Sequence, residues 1–243
     1  MRDALFWPTR DAFTGWGEYL KISIPTLFML CPEWWAFEGL IILSGYIGVN
    51  DQAVMVVSFN LIGIIYMFPM GFSEAAAAVV GNSMGENNPE MAKKYIKLTT
   101  FIATPTCLVL ILIVTLLRNQ IAALYFKPDS PEYLLLTSVM LVTAIESVFD
   151  LTQGFLQGPL RALTLQVRAS LICIICNWVF TLPLAILFAF QFSMGIYGLW
   201  WGATIGIGIQ LFAYIYLFST SDYDKIAAKV YETHTEAMKV LEK

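Results

Sequence analysis

The sequence predicts an all-α, polytopic membrane protein built as a bundle of six transmembrane helices. Three observations carry that prediction. Of 243 residues, 58% are hydrophobic and 13% are charged, against about 25% charged in a soluble domain. Six hydrophobic runs approach or exceed the roughly 20 residues a helix needs to cross a bilayer. Lys and Arg avoid the interiors of these runs and gather on one side of the layout.

The first span is read from about Leu20 to Ser44 and holds the run PTLFMLCPEWWAFEGLIILSG. Pro32 removes one backbone donor there and is expected to kink the helix. The second span runs from about Ala53 to Val80, after a short turn at Asn50 and Asp51. Pro69 and Gly71 mark an expected break in it. Ala75 to Ala78 offer a small-residue surface for close helix contact. A surface loop, GNSMGENNPEMAKK, is expected from Gly81 to Lys94. The third span is Leu98 to Leu117, and a loop from Arg118 to Glu132 follows, with the turn signal KPDSP.

The fourth span is Tyr133 to Gln157 and the fifth Ala169 to Phe190. Asn177 in the fifth is expected to join helices rather than bind a ligand. The sixth span is Ile196 to Phe218, rich in glycine. Gly198 and Gly202 stand in the G-x-x-x-G spacing of tight helix packing. Trp200 and Trp201 near its start read as interfacial anchors. The resulting organisation is an N-terminal segment 1–19, a six-helix unit 20–218 and a polar tail 219–243. KIAAKVYETHTEAMKVLEK in the tail has the pattern of a weak amphipathic helix.

Charge tests the layout. With the N-terminus in the cytoplasm, twelve of the fourteen Lys and Arg residues fall on that side, and only Arg118 and Lys127 fall opposite. This bias follows the positive-inside rule and predicts both termini in the cytoplasm. The membrane is expected to be the plasma membrane or that of an organelle. The first residues, MRDALFWPTRDAF, lack the apolar core of a signal peptide.

Acidic residues behave differently. Glu33, Glu38, Glu74, Glu146 and Asp150 lie within the predicted helices. A charged side chain at the bilayer centre costs roughly 2.5–3.5 kcal/mol even on lenient scales. Such a cost points to a cavity where acids bind a cation or carry protons. With no evident basic partner in the chain, the acids are expected to be protonated part of the time. Glu33 follows Pro32 and precedes Trp34 and Trp35, whose ring faces suit an organic cation. Glu38 lies five residues on, about 140° around a helix from Glu33. Glu146 and Asp150 are four apart and share one face, so they are expected to share a proton or a cation. Gln153 and Gln157 extend that polar stripe. Tyr46, Asn60, Tyr66, Glu74 and Gln153 are further candidates to line a cavity.

The same features exclude other classes. The net charge of −4 is small and says little about nucleic acid, but no basic, aromatic-interleaved stripe is present to bind it. Cys173 and Cys176 have C-x-x-C spacing, but His234 is the only histidine, so small buried hydrophobes is the better reading. No serine–histidine or metal arrangement supports an enzyme, and no cofactor is expected.

Three segments resemble the multidrug and toxic compound extrusion (MATE) family of the eukaryotic type. MLCPEWWAFEGLIILSG, residues 29 to 45, is similar to the family's seventh helix. PMGFSEAAAAVVGNSMGENNPEMAKK, residues 69 to 94, resembles the eighth helix and its following loop, with Val80 where an arginine is usual. FDLTQGFLQG, residues 149 to 158, is similar to the tenth helix, and Arg161 and Gln166 match beyond it, although Ala162 and Thr164 replace usual glycines. The resemblance implies one lobe, the C-terminal one, of a two-lobe transporter. It implies proton-coupled efflux of organic cations or other metabolites, with sodium as the less expected coupling ion. It assigns proton and substrate roles to the positions of Glu33 and Asp150 and matches Glu38 to a second acid; Glu146 is an addition to the family pattern. Its partners would be the bilayer, a small cationic substrate and a second lobe or second copy. A non-transporting structural or accessory subunit derived from such a lobe is the alternative.

Overall fold

A computed structural model describes residues 16–241. Residues 1–15 of the predicted N-terminal segment lie outside the described residues. The described chain is helical throughout and contains six helices long and apolar enough to cross a membrane. These are α1 (Trp16–Ile47), α2 (Val49–Gly85), α3 (Pro89–Leu116), α5 (Pro131–Ala162), α6 (Gln166–Gln191) and α7 (Ile196–Thr220). A short helix α4 (Arg118–Tyr125) lies between α3 and α5, and α8 (Tyr223–Leu241) forms the tail.

The starts and stops follow from local chemistry. The Asn88 side chain accepts a hydrogen bond from Met91 N at 3.1 Å, and Pro89 takes the first helical position of α3. Ser130 and Pro131 do the same for α5, with Tyr133 N donating to Ser130 Oγ at 3.2 Å. Gly195 adopts a φ of +59° immediately before α7, a conformation that glycine enters without a Cβ penalty.

The structure corrects four expectations about these elements. The predicted Gly81–Lys94 loop contracts to Glu86–Asn88, because α2 continues to Gly85 and α3 starts at Pro89. At about 1.5 Å per residue, the 37-residue α2 exceeds a ~30 Å hydrocarbon core, so its end projects beyond it. Pro69 and Gly71 do not break α2: Pro69 is buried within the continuous helix, held by packing along α5. The loop predicted after α3 is partly helical, forming α4. Trp200 is no interfacial anchor. It is fully buried in the core, 6.3 Å from the Phe37 ring centroid.

The cause of that burial is glycine. A Cβ on Gly198 would fall 2.5 Å from the backbone nitrogen of Ala189. One on Gly202 would overlap the backbone of Ala185, and one on Gly206 would overlap Thr181 Oγ1. Only bare backbone lets α7 approach α6 so closely. The facing stretch of α6 is unusual in turn, because π-helical turns occupy Cys176–Thr181 and Leu187–Gln191. The helical irregularity therefore lies in the fifth span, and the second is continuous through Pro69 and Gly71.

A second close crossing joins α2 and α5. A Cβ on Gly158 would overlap the Ser73 carbonyl oxygen, and one on Gly154 would lie 2.9 Å from the Tyr66 ring. Gly158 N donates to Ser73 Oγ at 2.7 Å. This crossing turns Tyr66 toward the acids of α5.

Candidate functional site

Two helices, α1 and α5, bring polar side chains to one point inside the bundle. Glu33 comes from α1 and is 4% exposed; Asp150 and Gln153 come from α5 and are 3% and 0% exposed. Gln153 Nε2 donates to Glu33 Oε1 at 2.5 Å and to Asp150 Oδ1 at 3.2 Å. One amide nitrogen therefore holds both carboxylates. Gln157 Nε2 donates to Glu33 Oε2 at 3.2 Å and to Gln153 Oε1 at 3.1 Å. Each oxygen of Glu33 has its own amide donor, which is what a buried carboxylate requires.

The network continues across the bundle. Gln210 of α7 donates through Nε2 to Gln153 Oε1 at 3.1 Å and lies 3.4 Å from the Tyr214 hydroxyl. Asn177 of α6 donates to Gln210 Oε1 at 2.8 Å, so its expected role in joining helices is realised. Tyr214 in turn donates to Ala169 O at 3.3 Å. Sequence reasoning misses Gln210. Its signal is present nonetheless, as the one side-chain amide between Ile196 and Thr220.

A cavity of about 20 Å³ adjoins the acids, lined by Glu33, Trp34, Phe59, Tyr66 and Asp150 among others. Trp34 meets Phe59 and Tyr66 edge-to-face, with centroids 5.8 and 6.1 Å away. That volume suits one water-sized particle. It is too small for an organic cation.

The other candidates separate. Trp35, 56% exposed, and Glu38 lie on the outer stripe of α1, away from this cavity, with Tyr46 two turns beyond Glu38. Glu146 is fully buried one turn before Asp150, and neither of its oxygens has a hydrogen-bond partner. Glu74 is exposed, eleven residues before the end of α2 at Gly85, and forms an ion pair with Arg161 of α5. The expectation that the membrane acids lack basic partners therefore fails at Glu74, because the crossing that brings Gly158 onto Ser73 also brings Arg161 to Glu74. Asn60 is exposed and donates to Val56 O on its own helix. Cys173 and Cys176 are buried, unpaired thiols. Among the described residues no group of His, Cys, Asp and Glu is arranged to hold a metal ion.

Six membrane-length helices around a buried carboxylate–amide network make the architecture of one lobe of a polytopic transporter fold. A model of the MatE family matches residues 25–187. The chain belongs to that family. It is 30% identical over 219 residues to mouse "Multidrug and toxin extrusion protein 2", covering 90% of this chain and 38% of that relative. It is 29% identical over 223 residues to "Protein DETOXIFICATION 16" of Arabidopsis thaliana, covering 91% and 46%. The crystal structure of the eukaryotic MATE transporter AtDTX14 superposes with a TM-score of 0.86 at 28% identity, over 94% of this chain and 51% of that one. The Vibrio cholerae MATE transporter VcmN in its bent form shares the fold, with a TM-score of 0.71 at 20% identity over 88% of this chain and 46% of that one. The chain thus spans about half the length of the solved structures, and less of the mouse relative.

Proposed function

We propose that this chain is one lobe, corresponding to the C-terminal half, of a proton-coupled antiporter that exports organic cations or related metabolites. The observation that carries the reading is the shared Gln153 amide between Glu33 and Asp150, beside a cavity of about 20 Å³. Two carboxylates held by one nitrogen in a buried site repel when both are charged, so a proton bound between them relieves the repulsion. Binding and release of that proton is the elementary step of coupling.

The organic substrate meets the lobe on its open side. Trp35 and Glu38, three residues apart on the outer stripe of α1, offer a ring face and a carboxylate to a cation there. Alternating access needs two units rocking about a common site, so a second lobe or a second copy completes the transporter. The twelve-to-two distribution of Lys and Arg supports cytoplasmic termini. It equally supports a 20–218 unit in the bilayer and a 219–243 tail on the cytoplasmic face.

The test is export of tetraethylammonium driven by a proton gradient, in cells lacking endogenous efflux pumps and expressing the chain with its natural partner sequences. Glu33→Gln and Asp150→Asn are expected to abolish export at unchanged membrane abundance. Full export by both variants overturns the mechanism. Export insensitive to the proton gradient but driven by sodium reassigns the coupling ion. A stable assembly in which neither variant changes any flux supports the accessory-subunit reading.

A further inference from the structure

We propose that a proton reaches the Glu33–Asp150 pair by way of Glu146, delivered by a water held in a second buried cavity between α2, α3 and α5. The purpose of such a path rests on the transport reading; its existence does not. The cavity measures about 20 Å³ and is lined by Ser58, Thr115, Thr143 and Ser147, with apolar side chains making up the rest of its wall. It lies toward the end of the bundle opposite α8. Thr115 is the last residue but one of α3 at that end, and Ser58 stands only about 14 Å along α2 from its start at Val49.

The hydroxyls in this wall complement one another. Thr115 and Thr143 donate to the carbonyls of Ile111 and Met140 at 2.7 and 3.2 Å, which leaves their oxygens as acceptors. Ser58 is 2% exposed, and its hydroxyl has no hydrogen-bond partner. A cavity of this size holds one water, and a buried water makes about two to four hydrogen bonds. By accepting from Ser58 and donating to the threonine oxygens, a water meets that need. It also gives Ser58 the partner that a buried hydroxyl requires.

Glu146 stands between that cavity and the acid pair. Thr143 precedes it by one helical turn and Asp150 follows it by one turn, so the three are successive neighbours on the surface of α5. Ser147, next in the chain, lies beside the Glu146 carboxyl without completing a hydrogen bond to it. Glu146 is 0% exposed, and the charged groups that act on it are the carboxylates of Asp150 and Glu33. Neither α2, nor α7, nor residues 98–116 of α3 contain a Lys or Arg to meet it. An acid so placed is held as the neutral carboxyl. Its hydrogen passes to the Asp150 carboxylate while its other oxygen takes one from the cavity. The protons balance: a hydronium in the cavity becomes water, Glu146 is a carboxyl before and after, and Asp150 goes from carboxylate to carboxyl.

The test follows the protonated-carboxyl band in infrared spectra of the detergent-purified full chain after transfer to heavy water. Glu146→Gln is expected to remove one component of that band. In the parent chain this component exchanges its hydrogen for deuterium. Ser58→Val, whose added methyl group fills the cavity, is expected to slow that exchange on the order of tenfold. Ser58→Ala, which removes only the hydroxyl, is expected to slow it severalfold. Thr106→Ala, on α3 but outside the cavity wall, is expected to exchange as the parent does. The amide band of the same spectra shows that each variant is folded. An unchanged carboxyl band in Glu146→Gln overturns the role of Glu146, and equal exchange in the parent and both Ser58 variants overturns the path. Export is measured separately. Slowed exchange in the Ser58 variants, together with export by the parent chain that ignores the proton gradient, bears out the path and overturns the transport reading alone.

Discussion

Glu33 and Gln153 are 120 residues apart in the chain and 2.5 Å apart in the fold, carboxylate oxygen to amide nitrogen. That single bond closes α1 onto α5 and brings Asp150 within reach of the same nitrogen. Replacing Gln153 with leucine would leave two buried carboxylates short of a donor. Loss of a buried partner costs about 1–3 kcal/mol, more when the group is charged. Gln153→Leu is therefore expected to lower the thermal unfolding temperature in detergent. Adding Glu33→Gln should recover part of the loss, because a neutral amide tolerates the apolar neighbour better. Strictly additive losses in the double variant would count against a direct coupling.

Gly158 and Ser73 set the second test. Gly158→Ala would push a methyl group into the Ser73 carbonyl and force α2 and α5 apart. Overpacking of this kind typically costs about 1–3 kcal/mol. Gly71→Ala is the control, since nothing lies within 4 Å of a Cβ at that position. Alanine is also the better helix former, so Gly71→Ala is expected to be neutral or stabilising in the same melt.

Ala227 holds the tail in place. It is 0% accessible and belongs to the buried cluster that joins α8 to the ends of α2 and α5. Ala227→Asp would bury an unpaired carboxylate there. Hydrogen–deuterium exchange is expected to show faster exchange across residues 223–230, with protection in α5 and α7 unchanged. Unchanged protection in the tail would show that α8 is not held by this contact.

Glu38 and Glu33 are expected to differ in kind. If Glu38 meets substrate on the open face, Glu38→Gln should raise the apparent KM for a cationic substrate severalfold while leaving the pH profile of export in place. Glu33→Gln should remove the response to the proton gradient altogether. The reverse pattern would exchange the two roles.

The six spans and their polar tail are legible in the sequence because hydropathy depends on composition alone, whatever neighbours a helix acquires. Glu33, Asp150 and Gln153 are legible as costs: polar groups in an apolar run demand partners. Their meeting is not, because a sequence gives the spacing along one helix but not how two helices are turned toward each other. Gly154 and Gly158, which fix that turn on α5, stand out in the sequence only as part of a longer motif. Trp200 misleads for the same reason. A tryptophan near the start of a span resembles an anchor until Gly198 and Gly202 draw the span into the bundle. The widened turns of α6 have no proline or glycine within Cys176–Thr181, and Pro183, which stands between the two widened stretches, is their one local signal.

The amides joining α6, α7, α5 and α1 all donate in one sense: Asn177 to Gln210, Gln210 to Gln153, Gln153 to Glu33. A primary amide has a donor end and an acceptor end, so three in series form an arrow. Its head is the Glu33 carboxylate, and its tail is the Asn177 Oδ1 atom, which has no hydrogen-bond partner. The orientation of three side chains on three helices is therefore set by the one group at the head. A proton placed on Glu33 Oε1 would set a donor against the Gln153 amide, and relieving that contact would require the amides behind it to turn as well.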